Sequence, residues 1–250
     1  MAPTCELALG RSAIYEFLSL AFLYPEQGST TQLAEKASNL TAETFRPAPG
    51  ELKQVLGQVS SRLRDFTVDG LIDEYVEVFG HSVSGDCPQY ESEYEQAHVF
   101  QKSQTLARLN AFYSAFGVAT NPELKERPDH ISVEMEFMHL LTLKEAYAYL
   151  NNHGQEKIEL CIQGQRSFLA EHLAPWINSF VRQVSRKAGS GSVYGTAAHV
   201  LQLHMNEEFR AFGIPPAPSR RRIIPVQQED DLECGAGPGL ADILQGSSQV

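Results

Sequence analysis

Apolar side chains recur every three to four residues along almost the whole of this chain, and no stretch shows the every-second-residue alternation of a half-buried strand. A chain patterned this way buries its apolar surface as stripes on helices, so the expected fold class is all-α. Leu7, Ile14, Tyr15, Leu18 and Phe22 mark a first amphipathic helix, stopped by Pro25. Leu33, Ala37 and Leu40 mark a short second helix, closed before Pro47 and Pro49. A third runs through Leu52, Val55, Leu56, Val59 and Leu63. A fourth runs through Leu71, Ile72, Tyr75, Val76 and Phe79 to Gly80, a common terminator. A loop rich in Gly, Ser, Asp and Pro follows over residues 80–90, and then a long helix with Val99, Leu106, Leu109, Phe112, Tyr113 and Phe116.

The densest mixture of polar and apolar residues lies at 127–141. Pro128 is compatible with a helix start, and Asp129 stands where an N-cap carboxylate would accept the first-turn amides. Ile131, Met135, Met138 and Leu141 then form one stripe on a helix expected to reach about Asn151. Ile158 to Leu173 gives another helix, broken at Pro175. Trp176 to Val184 continues it after a bend, up to a Gly-Ser turn over residues 189–192, and Val193 to Phe209 gives the last. After Gly213 the prolines Pro215, Pro216, Pro218 and Pro225, the arginines Arg220 to Arg222 and the acids Glu229, Asp230 and Asp231 carry no periodicity. The expected organisation is therefore one domain of about eight to ten helices over residues 1–213. Residues 214–250 form a polar tail, extended or disordered, with too little apolar area to offset its ordering entropy.

With 250 residues and 42% hydrophobic content the chain can bury a sizeable core. Its net charge of −11 argues against nonspecific nucleic-acid binding and against an anionic membrane surface. Cys5, Cys87, Cys161 and Cys234 form no C-x-x-C pair, so neither a zinc framework nor a disulfide scaffold is signalled, and a reduced, cytoplasmic setting is expected. The start of the chain has no early positive charge and Glu16 interrupts its apolar run, a poor secretory signal. No run approaches the ~18 apolar residues of a membrane span.

Two stretches lack cations altogether. None lies between Arg127 and Lys144, where Asp129, His130, Glu134, Glu136 and His139 crowd four turns. None lies between Arg64 and Lys102, where acids from Asp65 to Glu95 bracket Pro88, Tyr90 and Tyr94. Such a run is ordinarily a solvated face. Two acid-rimmed apolar segments would also make a groove for a peptide with cationic and apolar parts. Glu95/His98 and Glu136/His139 are both Glu-x-x-His, the pairing used in helical di-iron sites, which leaves a di-iron oxidoreductase as the alternative reading. Such pairs also arise by chance, and the further glutamates that site needs are not identifiable. An Asp129-oriented His130 would suit a general base, though a capping carboxylate beside a structural histidine explains the pair equally. Cys87 reads as a packing residue, Trp176 as core, His199 and His204 as too offset to share a ligand, and the glycines at 189–195 lack a phosphate-loop pattern. No catalytic constellation emerges, and no metal or cofactor is called for.

Three stretches in order carry a resemblance: Cys87-Pro88-Gln89-Tyr90-Glu91-Ser92-Glu93-Tyr94, the segment from Glu126-Arg127-Pro128-Asp129-His130-Ile131 to Glu134-Met135-Glu136-Phe137-Met138, and Phe168-Leu169-Ala170-Glu171-His172-Leu173-Ala174-Pro175-Trp176. With Arg11-Ser12-Ala13-Ile14-Tyr15 and Glu74-Tyr75-Val76-Glu77-Val78-Phe79 they resemble the TorD/DmsD/NarJ family of cytoplasmic redox-enzyme maturation chaperones, also called the nitrate reductase delta subunit family. The form of the first motif looks most like the branch serving type II enzymes of the dimethyl sulfoxide reductase family. The resemblance covers about Arg11 to Phe180. It implies an all-helical protein without catalysis. Its partner would be an apo-molybdoenzyme catalytic subunit, which takes a bis-molybdopterin guanine dinucleotide cofactor, and its twin-arginine signal peptide. The chaperone would hold that client until cofactor is inserted and so prevent premature export. By position, the client-peptide site would comprise Pro88, Tyr90, Glu91, Ser92, Asp129, His130 and Glu134. Gln89 separates Pro88 from Tyr90 where some members place the aromatic directly after proline.

Overall fold

The apolar stripes become helices in the computed structural model, which describes residues 5–41, 50–80, 85–94, 99–119, 126–189 and 191–215. They are α1 (Cys5–Ala21), α2 (Ser29–Thr41), α3 (Gly50–Arg64), α4 (Val68–Phe79), α5 (Val99–Ala115), α6 (Ile131–Leu150), α7 (Gln155–Phe168), α8 (Ile177–Ala188) and α9 (Val193–Phe212). Among the described residues there is no strand, and the protein is all-α. Helix starts follow capping chemistry where the sequence supplies it. The Thr67 hydroxyl accepts from Gly70 N–H at α4, and the Ser192 hydroxyl from Gly195 N–H at α9. Gly213, at φ +66°, ends α9 in the left-handed conformation that glycine adopts without steric cost.

Helices α1 and α6 pack along one another in opposite directions: Cys5 meets Ala146, Arg11 meets Glu145, and Ser12 meets His139. Around this pair α7 packs on α6, α2 on α3, α8 on α9, and α9 on α3. The stripe of Ile131, Met135, Met138 and Leu141 is fully buried. Burying a side chain of this size contributes about 1.5–3 kcal/mol, so this one face anchors the domain.

Aromatic rings fill the space between α5, α6 and α7. Phe137 stands 4.7 Å from Tyr113 and 4.8 Å from Phe168, and Phe112 packs edge-on against both Phe137 and Phe168. Phe116 lies so close to Gly164 that a Cβ there would come within 2.3 Å of the ring, which makes glycine a packing requirement in α7. At its end α7 widens into a π-helical segment, Leu169–Leu173, in which Ala174 N–H bonds to Leu169 O. Pro175, which lacks an N–H, follows at the break expected there, and Trp176 is buried as the core residue it was expected to be. Past α9, Ile214 still packs against the core, its N–H bonded to Phe209 O. Most of the tail, residues 216–250, lies outside the described residues. No described helix is long and apolar enough to cross a membrane.

Candidate functional site

The loop ahead of α5 and the start of α6 are joined backbone to backbone. Glu91 N–H donates to Asp129 O at 2.9 Å and Ile131 N–H to Gln89 O at 2.8 Å, so Tyr90 and His130 face each other like residues of two short antiparallel strands. Side chains fix both segments. Tyr94 Oη donates to Pro88 O, Tyr113 Oη to Pro128 O, and Gln89 spans from Tyr75 Oη to Phe22 O. Gln89 therefore ties the loop to α4 and the end of α1. After the loop, Glu91–Glu93 make one 3₁₀ turn.

Asp129 is not the N-cap of α6. That position belongs to His130, whose Nδ1 accepts from Ser132 N–H at 3.2 Å. The Asp129 carboxylate turns the other way, accepting from Ser92 N–H and from Arg127 Nε and Nη2 at 3.0 and 2.7 Å. It caps the 3₁₀ turn of the neighbouring loop instead of its own helix, because the backbone pairing brings those amides closer. Arg127 also donates to Ser92 Oγ and lies over the Tyr90 ring at 4.7 Å. Tyr90 Oη donates to Glu126 Oε2 at 3.0 Å.

All seven site residues expected from the sequence come together, but they do not form one exposed lip. Pro88, Glu91, Ser92, Asp129, His130 and Glu134 are buried, and Tyr90 is half-buried. Glu91 Oε2 lies 3.1 Å from His172 Nδ1, and Glu134 Oε2 accepts from Trp176 Nε1 at 3.3 Å. Burial, reinforced by the charges of Glu91 and Asp129, pushes the Glu134 carboxyl well above the usual carboxylate range and so favours its protonated form. Burial, together with Arg127, lowers His130 to about 3. The ring is neutral, and with Nδ1 accepting from Ser132 its proton sits on Nε2, 3.8 Å from Glu126 Oε2. A neutral, fully enclosed His130 has no route to act as a general base on an outside substrate.

Beside this buried knot opens a cleft of about 840 Å³, between the end of α1, the turn into α2, Tyr75 of α4 and the first turns of α6. Leu20, Leu23, Tyr24, Leu33, Tyr75 and Val133 supply apolar surface, and Glu26, Glu126 and Glu136 supply acid. No Lys or Arg is among its lining residues. Glu126 belongs to both structures, accepting from Tyr90 while it lines the cleft.

The acid run between Arg64 and Lys102 does not supply this rim. Glu91 is buried, Glu93 pairs with Lys102 at 2.7 Å, Asp86 with Lys187 at 3.5 Å, and Glu74 accepts from Val193 N–H at the start of α9. The half-exposed Tyr24 and its neighbours at the end of α1 are the wall that sequence reasoning missed. Their helical spacing reads only as core packing, and nothing local marks them as surface.

Of the four residues of the di-iron alternative, the structure describes Glu136 and His139. Glu136 is exposed on the cleft, whereas His139 Nδ1 lies 2.9 Å from Ser12 Oγ and 3.0 Å from Ser12 O. Glu95 and His98 lie outside the described residues. Among the described residues no three His, Cys, Asp or Glu side chains are grouped to hold a metal.

Comparison with known proteins agrees with the motif reading. Residues 39–182 match the family model described as nitrate reductase delta subunit. The perchlorate reductase assembly chaperone protein of Dechloromonas aromatica is 25% identical over 210 residues, covering 80% of this chain and 90% of that protein. The chlorate reductase assembly chaperone protein of Ideonella dechloratans is 31% identical over 40% of this chain and 50% of that one. The selenate reductase assembly chaperone protein of Thauera selenatis is 32% identical over 37% and 46%. A match over more than half its length, together with the order of its motifs, places the chain in the nitrate reductase delta subunit family, the family of the NarJ and TorD chaperones.

Proposed function

We propose that this protein is a system-specific maturation chaperone that holds the apo form of a molybdenum oxidoreductase subunit by a segment carrying cationic and apolar residues. Relatives named for the assembly of perchlorate, chlorate and selenate reductases support a client of that class. The observation that carries the reading is the cleft: an apolar floor with acids and no lining cation suits a basic, partly apolar peptide such as a twin-arginine signal peptide. Acids at the rim steer the cationic part, and Leu20, Leu23, Tyr24 and Val133 cover the apolar part.

In this reading the seven residues divide their work. Tyr90 positions Glu126 at the cleft through its hydroxyl, and the buried Pro88, Glu91, Ser92, Asp129, His130 and Glu134 hold the Tyr90 loop and the start of α6 in place. Residues 1–213 act as the chaperone domain in the cytoplasm, with 214–250 as a separate tail. Holding the segment keeps the client from export until the molybdenum cofactor is in place. Release needs only that the loaded, folded client withdraws its segment.

Affinity capture from cells tests this. The unaltered chain should retain a molybdoenzyme catalytic subunit, and retention should weaken with added salt, because exposed charge attraction is screened within about 8–10 Å near physiological ionic strength. The exposed-face variant Glu26→Lys/Glu136→Lys should lose most of that retention. Capture that is unchanged in this variant, with the fold intact by circular dichroism, would remove the cleft from the function.

A further inference from the structure

The cleft is built for a cation-bearing segment, and this chain carries one of its own. Residues 219–226 read Ser-Arg-Arg-Arg-Ile-Ile-Pro-Val, three consecutive arginines followed by an apolar run, in a chain whose net charge is −11. We propose that this segment of the tail docks in the cleft of the same molecule and covers it until a client displaces it.

Charge is the first argument. Glu26, Glu126 and Glu136 line the cleft without a Lys or Arg among them, and the arginine triplet is the densest basic run in the sequence. A second observation is independent of charge. Ser132 is 2% exposed, lines the cleft, and its Oγ has no hydrogen-bond partner. A buried hydroxyl left without a partner is costly, and an extended peptide laid over it offers backbone groups that meet the need.

Reach is the third argument. The ring of Phe212, at the end of α9, packs under the Arg11 guanidinium at 5.1 Å, and Ile214 is fixed by its bond to Phe209. From Arg11 to Leu20, which lines the cleft, is nine helical residues, or about 14 Å along α1 at ~1.5 Å per residue. From Ile214 to Arg220 is six residues, about 20 Å when extended. Pro215, Pro216 and Pro218 favour such an extended connection. The arginines arrive at the cleft with little slack.

A segment tethered this closely acts at an effective concentration of the order of millimolar, so only an occupant with better contacts displaces it. The tail would thereby set an affinity threshold that turns away weakly matching basic peptides. That consequence rests on the client reading above; the intramolecular contact does not.

The test uses the full chain with a photo-cross-linking amino acid in place of Ile223. The proposal expects adducts on residues 19–33 and 126–136 of the same molecule, at a yield independent of protein concentration. Arg220→Glu/Arg221→Glu/Arg222→Glu, and separately Glu136→Arg on the exposed face of α6, should each lower that yield. A synthetic peptide spanning 217–228 should bind the triple variant about tenfold more tightly than the intact chain, since the variant no longer competes with it. Adducts elsewhere, adducts only between molecules, or equal peptide affinity for the two proteins would overturn the proposal. Adducts that form as expected while affinity capture retains no oxidoreductase would sink the client reading and leave the tail contact standing.

Discussion

Helix α6 has a buried glutamate network near each end, and the two networks titrate in opposite directions. Toward its C-terminal end, Arg11 reaches Glu208 through Nε and Nη2 at 2.7 and 2.6 Å, Glu145 through Nη1 at 3.2 Å, and Gln165 at 2.6 Å, while Tyr15 Oη donates to Glu208 at 2.8 Å. One guanidinium thus joins α1, α6, α7 and α9. Burial alone would raise Glu208, but Arg11 outweighs it and holds the carboxyl below its usual range. At the N-terminal end, Arg127 spends its hydrogen bonds on Asp129 and Ser92, leaving Glu91 to His172 and Glu134 to Trp176. There burial and neighbouring acids act together, and Glu134 rises. Two glutamates of equal burial differ because a guanidinium reaches one and not the other. The first network closes the fold. The second joins the Tyr90 loop to the start of α6 and favours the neutral form of Glu134, so the negative potential of the proposed client site comes from the acids that line the cleft, Glu26, Glu126 and Glu136.

The largest effect expected from breaking this contrast is at Arg11. Arg11→Met strands Glu208 and Glu145 without their cation, and removing one partner of a buried pair costs about 3–5 kcal/mol. Urea denaturation should show that loss, and Arg11→Met/Glu208→Gln should recover part of it. A loss below about 1 kcal/mol would mean that this network does not close the fold.

Asp129→Ala comes next. It leaves Ser92 N–H and Arg127 Nε without an acceptor, at about 1–3 kcal/mol. Its signature is local: amide exchange should quicken over residues 89–93 before it quickens in α9. Uniform acceleration would argue that Asp129 has no particular hold on the loop.

The smallest effect separates the two glutamates by pH. A carboxyl raised in the folded state stabilises below its unfolded pKa, and that contribution is lost as pH rises through the folded value. Glu134→Gln should therefore flatten the decline of stability that sets in above the ordinary carboxylate range, while staying within about 1 kcal/mol of the unaltered protein at its lower edge. Other groups act in the opposite sense. Glu208, held low, gives up its contribution as pH falls from the ordinary carboxylate range. His130 and His204, neutral in the fold and lowered to about 3 and about 4, lose theirs as pH falls from ~6.5 toward those values. Thermal melts across pH should show Glu134→Gln changing the slope above the ordinary carboxylate range and leaving it unchanged below. An unchanged slope above that range would contradict the direction assigned to Glu134.

Much of the fold was legible because helices announce themselves locally. The spacing of Ile131, Met135, Met138 and Leu141 is a property of 11 consecutive residues, and all four are buried as that spacing requires. The break at Pro175 and the stop at Gly213 are equally local. The candidate site was legible only as membership: the motif around Tyr90 and the one around Asp129 do meet. What each residue does there was not. Asp129 in isolation is a helix cap; beside a paired backbone strand it caps the loop instead, and His130 takes the helix. The acid run at 65–95 looks like one surface on paper, yet Glu93 goes to Lys102, Asp86 to Lys187, Glu74 to Val193 N–H and Glu91 to the interior, while Asp65, Asp69, Asp73 and Glu77 stay exposed. The cleft has its other wall at Leu20, Leu23 and Tyr24, more than 100 residues earlier in the chain.

By itself, then, the sequence determined an all-α fold, the course of its helices and its family, since periodicity and short motifs are carried by neighbours in the chain. Only the tertiary structure decided which acids are buried and pushed toward the neutral form, which pair with arginine, and which line an open cleft. Burial and charge compensation depend on partners such as His172, Trp176 and Arg11, which arrive from distant segments and leave no mark beside the residues they control.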